Sequence, residues 1–418
     1  MKKREIKSSL FLSPYVSKEK GLDGNIKSIP EDFTVGEILE NNQVLDPEKK
    51  HFDLPGKTGL FLHFVLWKKD IEANRALDLV SRYWSIPREN LGIAGTKDKR
   101  AVTAQRVSAW GVRKLSEKGT LSPINLPTIK THSHCFKLTE VRLGNLWGNA
   151  FGITIRNVKY GEENINEIFS LISRDVEKFG GLPNCFGIQR FGDIRPITHI
   201  VGKYIILGNL KEAFRHYIGM VFKGEPEATK KARKFYWETE NNKGSLEMFP
   251  HYLFLERKML HDLEKRNNNY ENVFNTLPLQ LRKLFIHAYQ AFLFNNYVNI
   301  RYTHYSSDFT KPLNGEEMIK EKVYIPIVGS KTTLKGETSE IYSKIFEKEN
   351  ITLTQFKTQL TQKIGGKGAR RSLLFTPQDL KLIKIEEDDF NKKRNKINLS
   401  FKLQKGSYAT NLLRELMK

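Results

Sequence analysis

One short stretch of the sequence places a carboxylate among cations: GIAGTKDKRAV, residues 92–102. Asp98 lies between Lys97 and Lys99, and Arg100 follows directly. Neighbouring cations favour the ionised form of a carboxylate, and they also attract a phosphate backbone that a carboxylate alone would repel. Asp98 is therefore a candidate nucleophile. An ordinary polar turn on a basic surface is equally consistent with these residue types.

Two further stretches combine aromatic, amide and basic residues. NCFGIQRFG contains Asn184 and Phe186, a pair that could read the edge of a base and stack on its face. Composition alone favours a packed turn whose aromatic rings belong to the core. KGSYATNLLREL, near the C-terminus, repeats the theme with Tyr408, where the alternative is the last strand and helix of the core.

Other chemistry finds little support in the sequence. GKTG, residues 56–59, lacks the first glycine of a phosphate-binding P-loop, because that position is His51. HSHC, residues 132–135, has no second Cys/His pair at the spacing of a metal site. The sequence therefore predicts neither a nucleoside triphosphate site nor a metal site.

The overall charge indicates the kind of partner. The 418 residues include 69 Lys+Arg against 47 Asp+Glu, which gives a net charge of +22. This excess is spread along the chain, and it favours a folded protein with a broad surface for a polyanion. A solvated basic surface without such a partner is the alternative.

Compartment and solubility follow from cysteine usage and hydropathy. Cys135 and Cys185 are too few for a disulfide framework and suit a reducing cytoplasm. The N-terminus lacks the apolar segment of a secretory signal. The longest apolar run, residues 60–67, is too short to span a bilayer and predicts a buried strand. We expect a soluble cytoplasmic protein.

Periodicity predicts alternating strands and helices without regular βαβ spacing, which is typical of an α+β fold. A helix capped by Asp70 is expected, followed by a strand over residues 151–158 and a helix beginning at Asn164. After about residue 205 the chain becomes more basic and helical, with a charged segment at 223–244 and a long helix at 281–298 capped by Thr276. This change of texture predicts a second, helix-rich domain inserted into the first.

Six blocks decide between these alternatives by resemblance. PEDFTVGE, AGTKDKRAVTAQ, GNAFGITIRN, NCFGIQRFG, RRSLLFTP and KGSYATNLLRE occur in this order from residue 30 to the C-terminus. The set resembles the tRNA pseudouridine synthase D (TruD) family, in its archaeal form. Only residues 205–365 match weakly.

The resemblance implies roles for particular residues. The catalytic nucleophile of the family falls on Asp98, and Lys97 beside it is an expected substrate contact. The residues expected around the target uridine fall on Phe33, Asn184, Phe186 and Tyr408. Many bacterial members have Phe in place of this tyrosine, which keeps the ring.

The resemblance also implies a fold and a substrate. The expected fold is a pseudouridine synthase domain with a curved mixed β-sheet, formed by residues 1–204 and 366–418 and interrupted by an inserted α/β TRUD domain at 205–365. The implied reaction is isomerisation of uridine 13 of tRNA to pseudouridine, with no cofactor and no metal. The rival hypothesis is a non-catalytic RNA-binding protein with the same basic surface. Oligomeric state is not indicated by the sequence.

Overall fold

The structure is a computed structural model that describes residues 15–54, 56, 58–112, 121–266, 269–357 and 365–418. The N-terminal segment before residue 15 and Lys57 of the GKTG sequence lie outside this range. The chain forms two compact units. One unit consists of Ser17–Lys178 and Thr376–Lys418, and the other contains Phe179–Phe375. The division into functional domains at residues 205 and 365 stays a prediction.

The strands follow one another along the chain as β1 (Phe33–Ile38), β2 (Phe61–Lys69), β3 (Leu91–Ile93), β4 (Val102–Trp110), β5 (Ile129–Lys137), β6 (Gly148–Val158), β7 (Leu182–Pro183), β8 (Glu317–Ile319), β9 (Lys322–Ile327), β10 (Ala369–Ser372), β11 (Leu374–Phe375), β12 (Gln378–Glu387) and β13 (Asn395–Gln404).

The α-helices are α1 (Ala73–Tyr83), α2 (Glu162–Lys178), α3 (Thr198–Ile206), α4 (Leu210–Gly219), α5 (Glu227–Thr239), α6 (Asn242–Met248), α7 (Phe254–Lys265), α8 (Tyr270–Asn275), α9 (Leu279–Ile300), α10 (Gly336–Glu349) and α11 (Ala409–Met417). None of the helices in the described ranges is long and apolar enough to cross a membrane.

The unit that contains both Ser17–Lys178 and Thr376–Lys418 is built on a mixed sheet. Its strand order is β12-β13-β6-β1-β4-β2-β5, and β3 pairs with β4. β1 and β4 are parallel, and the other pairs are antiparallel. The apolar residues of β2 pack against one face of α1, through Ala76, Leu77 and Val80. The mixed sheet and its helices confirm the α+β prediction.

The helices predicted after residue 70 and at 281–298 are confirmed, but their predicted N-cap residues were wrong. The helix expected after Asp70 is capped by Glu72 instead, whose carboxylate accepts the backbone N–H of Arg75 at 2.9 Å. α9 begins after Pro278, not at Thr276, whose hydroxyl donates to the Val273 carbonyl at 2.8 Å. Both predicted caps were suitable residue types, but the nearest helical N–H groups found other acceptors or lay further along the chain.

The unit that contains Phe179–Phe375 is rich in helices. α3 packs along α9, and two small sheets accompany them, with orders β10-β9-β8 and β11-β7. Buried ion pairs join the helices: the Arg233 guanidinium donates to Glu225 at 2.7 Å and to Glu256 at 2.9 Å. The charged segment at 223–244 contains α5 and the first residues of α6.

Candidate active site

The candidate nucleophile lies in the connection between β3 and β4. The Lys27 Nζ atom lies 2.9 Å from the Asp98 Oδ1 atom, and the Asp98 side chain is 34% exposed. The carboxylate is thus accessible to a substrate and carries a counter-ion from a segment 71 residues away. An ion pair that leaves one carboxylate face open to solvent is suited to a nucleophile that must remain ionised.

Phe33 lies next to this ion pair at the start of β1. The Lys27 Nζ atom is 3.9 Å from the centroid of the Phe33 ring, a cation–π distance. The ring also meets Phe151 edge-to-face, with centroids 6.1 Å apart, and Phe33 is only 2% exposed. The structure therefore brings Phe33 and Asp98 together through a shared lysine, with most of the ring covered by protein.

The buried side chain of Lys68 binds the backbone of the candidate nucleophile Asp98. Lys68 lies on β2 and is fully buried, and its ammonium donates to the carbonyl oxygens of Asp98 at 2.5 Å and of Ile71 at 3.1 Å. Burial lowers the pKa of Lys68 to about 8, partly offset by the carboxylate of Asp98. These bonds anchor the Asp98 backbone from the sheet side.

Lys97 faces inward rather than toward solvent. Its side chain is 3% exposed, and its Nζ atom lies 2.9 Å from the Glu37 Oε2 atom, which is fully buried. The other oxygen of Glu37 accepts the backbone N–H of Arg106 at 3.3 Å. This geometry favours a positioning role for Lys97 over direct contact with a phosphate.

The buried Glu37–Lys97 pair lies where two strands share one edge of β4. One edge of β4 is shared, since residues 102–104 pair with β1 and residues 107–109 pair with β3. The N–H of Arg106 falls between the two ladders, and the Glu37 carboxylate supplies its acceptor. Gln105 beside it donates its side-chain amide to the carbonyl of Gly95 at 3.2 Å. These side-chain bonds thus hold the connection between β3 and β4, which carries the candidate nucleophile Asp98.

The two cations after Asp98 remain at the surface. Lys99 and Arg100 are exposed, and the Arg100 guanidinium donates to the carbonyl of Ser28 at 2.6 Å. Of the cations next to Asp98 in sequence, these two are therefore better placed than Lys97 to meet a phosphate.

Tyr408 occupies the N-cap position of α11 and is half-buried. The turn before it is tied to the Asp98 loop through one intervening segment. The N–H of Lys405 donates to the carbonyl of Trp147 at 3.0 Å, and the N–H of Gly144 donates to the carbonyl of Ala94 at 2.9 Å. Residues 144–147 thus connect both loops by backbone bonds.

Asn184 and Phe186 lie in the other unit and form a cluster around Arg371. The Asn184 Oδ1 atom accepts from the Arg371 guanidinium at 2.6 Å, and its Nδ2 atom donates to Ser372 Oγ at 3.0 Å. The same guanidinium lies 4.1 Å from the Phe186 ring centroid. Both residues are buried, 4% and 7% exposed. In this structure the amide contacts protein groups at both ends.

Sequence reasoning missed Lys27, Glu37, Lys68 and Arg371. Two of them carried a signal: Lys68 directly follows the apolar run at 60–67, and Arg371 lies in the RRSLLFTP block. Lys27 and Glu37 flank or end the PEDFTVGE block, where nothing in the residue types names their partners.

Comparisons with known proteins show the family of this chain. The family model of tRNA pseudouridine synthase D (TruD) matches residues 10–324 and 317–416. A probable tRNA pseudouridine synthase D of Methanococcoides burtonii is 31% identical, covering 99% of this chain and 97% of its own. That of Methanococcus aeolicus is 36% identical, covering 95% and 96%. A TruD crystal structure from Methanosarcina mazei is 30% identical with a TM-score of 0.78, covering 99% of this chain and 98% of its own. The chain therefore belongs to the tRNA pseudouridine synthase D (TruD) family.

Proposed function

We propose that this chain isomerises uridine to pseudouridine at position 13 of tRNA, with Asp98 as the catalytic nucleophile. The observation that carries the proposal is the Asp98 carboxylate, partly exposed and paired with Lys27 at 2.9 Å in a chain of this family. The reaction takes place where tRNA is matured, and we place the protein in the cytoplasm.

The chemistry needs only a few protein groups. The bond between N1 and C1′ of uridine breaks, the uracil turns, and a new bond forms between C5 and C1′. The proton on C5 leaves and N1 gains a proton, so the overall change is an isomerisation without oxidation or reduction. Asp98 either adds to C1′ as uracil leaves or assists a glycal route, and the geometry is compatible with both.

The target uridine must leave its stack before it can react. Unstacking costs a few kcal/mol, which contacts between the base and aromatic rings offset. We propose Phe33, Asn184, Phe186 and Tyr408 as groups that contact or support the bound uridine. Lys97 contributes by holding the Asp98 loop through its buried pair with Glu37.

The experiment that tests the nucleophile is the substitution Asp98→Asn. The variant keeps the size of the side chain, so we expect the free energy of unfolding to change by no more than about 1 kcal/mol. Removal of a negative charge leaves tRNA affinity unchanged or slightly higher. Tritium release from tRNA labelled at C5 of uridine should fall below detection. Near-normal turnover in this variant would exclude Asp98 as the nucleophile.

Asp23→Asn is the matched control. The Asp23 carboxylate also pairs with a lysine, Lys159, at 3.4 Å, and its side chain is 55% exposed. We expect this variant to retain full activity. Replacement of uridine 13 by cytidine in the tRNA tests the position, because it should abolish tritium release at that site. If the unaltered protein binds tRNA but releases no tritium, the non-catalytic RNA-binding hypothesis is correct.

A further inference from the structure

A basic groove lies in the unit that contains Phe179–Phe375, on the small sheet β10-β9-β8. It has a volume of about 510 Å³. Four cations and one carboxylate line it: Lys331, Lys335, Lys367, Arg370 and Glu317. The single carboxylate is already used, since Arg370 pairs with Glu317 at 2.7 Å.

The three lysines of this groove carry charge that no carboxylate of the described residues neutralises. All three are exposed, and within the described ranges no carboxylate lies within ion-pair distance of Lys331, Lys335 or Lys367. Three unpaired ammonium groups around one concave surface favour a ligand with several negative charges. A polymer of phosphodiesters has this property.

The loops that present the lysines are fixed by backbone contacts. The N–H of Ser330 donates to the carbonyl of Gly366 at 2.9 Å, and the N–H of Lys331 donates to the carbonyl of Lys367 at 3.0 Å. A Cβ atom on Gly329 would lie 2.2 Å from the backbone nitrogen of Gly368. This close approach requires glycine, so Lys331 and Lys367 are held side by side on two joined loops.

The aromatic residue Tyr324 also lines this groove. Alternation along β9 buries Val323 and Ile325 in the core, and it turns Tyr324 toward the groove, where the ring is half-buried. In the strand register Tyr324 lies opposite Glu317 of β8 and Ser372 of β10. A groove lined by both lysines and an aromatic side chain has the combination of groups by which proteins bind single-stranded nucleic acid.

We propose that this groove binds an unpaired segment of the tRNA, with Lys331, Lys335 and Lys367 contacting phosphates and Tyr324 stacking on a base. The inference rests on the proposed function only in its choice of tRNA as the RNA. An unpaired segment fits better than a duplex, because bases inside an A-form helix are not free to reach a half-buried ring.

The test compares two triple variants by titration of labelled tRNA at several salt concentrations. In the first, Lys331, Lys335 and Lys367 are replaced by alanine. The control replaces exposed helix lysines of the same unit, Lys231, Lys243 and Lys265. Loss of about three phosphate contacts should lower the slope of log K against log salt by roughly 2–3 in the groove variant only. At ~100 mM salt its Kd should rise at least about tenfold, with no such rise in the control.

Two further measurements separate the possible outcomes. Tyr324→Ala should weaken binding by about five- to a hundredfold, whereas Tyr324→Phe should bind as the unaltered protein does. The single-turnover rate at saturating protein should stay within about twofold for all groove variants, since none touches Asp98. Single Lys→Gln changes, which preserve side-chain length, should each lower the salt slope by about 0.7–0.9.

Equal losses of affinity in the two triple variants would overturn the groove as a binding site, and so would an unchanged salt slope. The proposed function fails separately. If the unaltered protein forms no pseudouridine but binds tRNA through the three groove lysines, the groove stands and the activity does not. If it forms pseudouridine and the groove variants bind normally, the activity stands and the groove does not.

Discussion

At the residue scale, the counter-ion of the candidate nucleophile Asp98 is Lys27, a residue 71 positions away that the sequence did not indicate. Its ammonium contacts the Asp98 carboxylate at 2.9 Å and lies 3.9 Å from the Phe33 ring centroid. Lys27 therefore supplies the counter-ion of the Asp98 carboxylate and contacts an aromatic side chain as well. A carboxylate that must approach phosphates needs such a partner, because its own charge would otherwise oppose binding.

We predict that Lys27→Met lowers the single-turnover rate at least about tenfold, because Asp98 loses its counter-ion and its link to Phe33. Binding of tRNA should weaken by at most the equivalent of one phosphate contact. Lys27→Arg should restore part of the rate. The measurements are tritium release in single turnover and tRNA titration on the same preparations. A Met variant with full rate and weaker binding would make Lys27 an RNA contact instead.

At the element scale, the segment that carries Asp98 connects β3 to β4 where two strands share one edge of β4. β1 and β3 pair with different parts of the same edge of β4. Between them, the Glu37 carboxylate accepts the backbone N–H of Arg106 and pairs with Lys97, which lies in the connection 94–101. Because both charges are buried, removing either one leaves the other without compensation.

We predict that Lys97→Met lowers the free energy of unfolding by about 3–5 kcal/mol, since the Glu37 carboxylate stays buried and loses its cation. The double variant Glu37→Gln/Lys97→Met should recover most of this loss. Urea titration of both single variants and the double variant measures the coupling. A Met variant that is fully stable but has a lower salt slope for tRNA would instead support direct phosphate contact by Lys97.

At the scale of the whole molecule, each unit contains a histidine that burial keeps neutral. Burial lowers the pKa of His63 and of His199 to about 4. The His63 ring is 2% exposed and contacts the carbonyl of Thr139 through Nε2 at 2.7 Å. The His199 ring stacks on Phe292, with centroids 5.1 Å apart. Both rings would have to take up a proton while largely removed from solvent.

We predict that the free energy of unfolding falls as the pH is lowered from about 6.5 to about 4. In this window the unfolded chain binds protons at both histidines and the folded chain does not, so lowering the pH favours unfolding. Each histidine should contribute a loss of roughly 3 kcal/mol by pH 4, so the two together should lower the free energy of unfolding by about 6 kcal/mol. In urea titrations across the window, His63→Gln/His199→Gln should show a flatter pH dependence than the unaltered protein. The exposed His251→Gln should not, and an equal slope in all three proteins would refute the assignment.

The sequence by itself determined the elements and the identity of the candidate nucleophile. The apolar run at 60–67 forms β2, the pattern at 151–158 lies within β6, and the helical periodicity at 281–298 lies within α9. These features are local, because the period of burial along a strand or helix is written into neighbouring residues. The residue types around Asp98 are equally consistent with an ordinary polar turn, and the resemblance of the surrounding block to the family made Asp98 the candidate nucleophile.

The tertiary structure alone decided the partners. Lys27 reaches Asp98 across 71 positions, Glu37 reaches Lys97 across 60, and Arg371 reaches Asn184 across 187. Such pairs depend on strand register and on which strands adjoin, and no pattern of neighbouring residues encodes these. For the same reason Lys97, whose charged neighbours in sequence are typical of a surface cation, is buried and pairs with the Glu37 carboxylate.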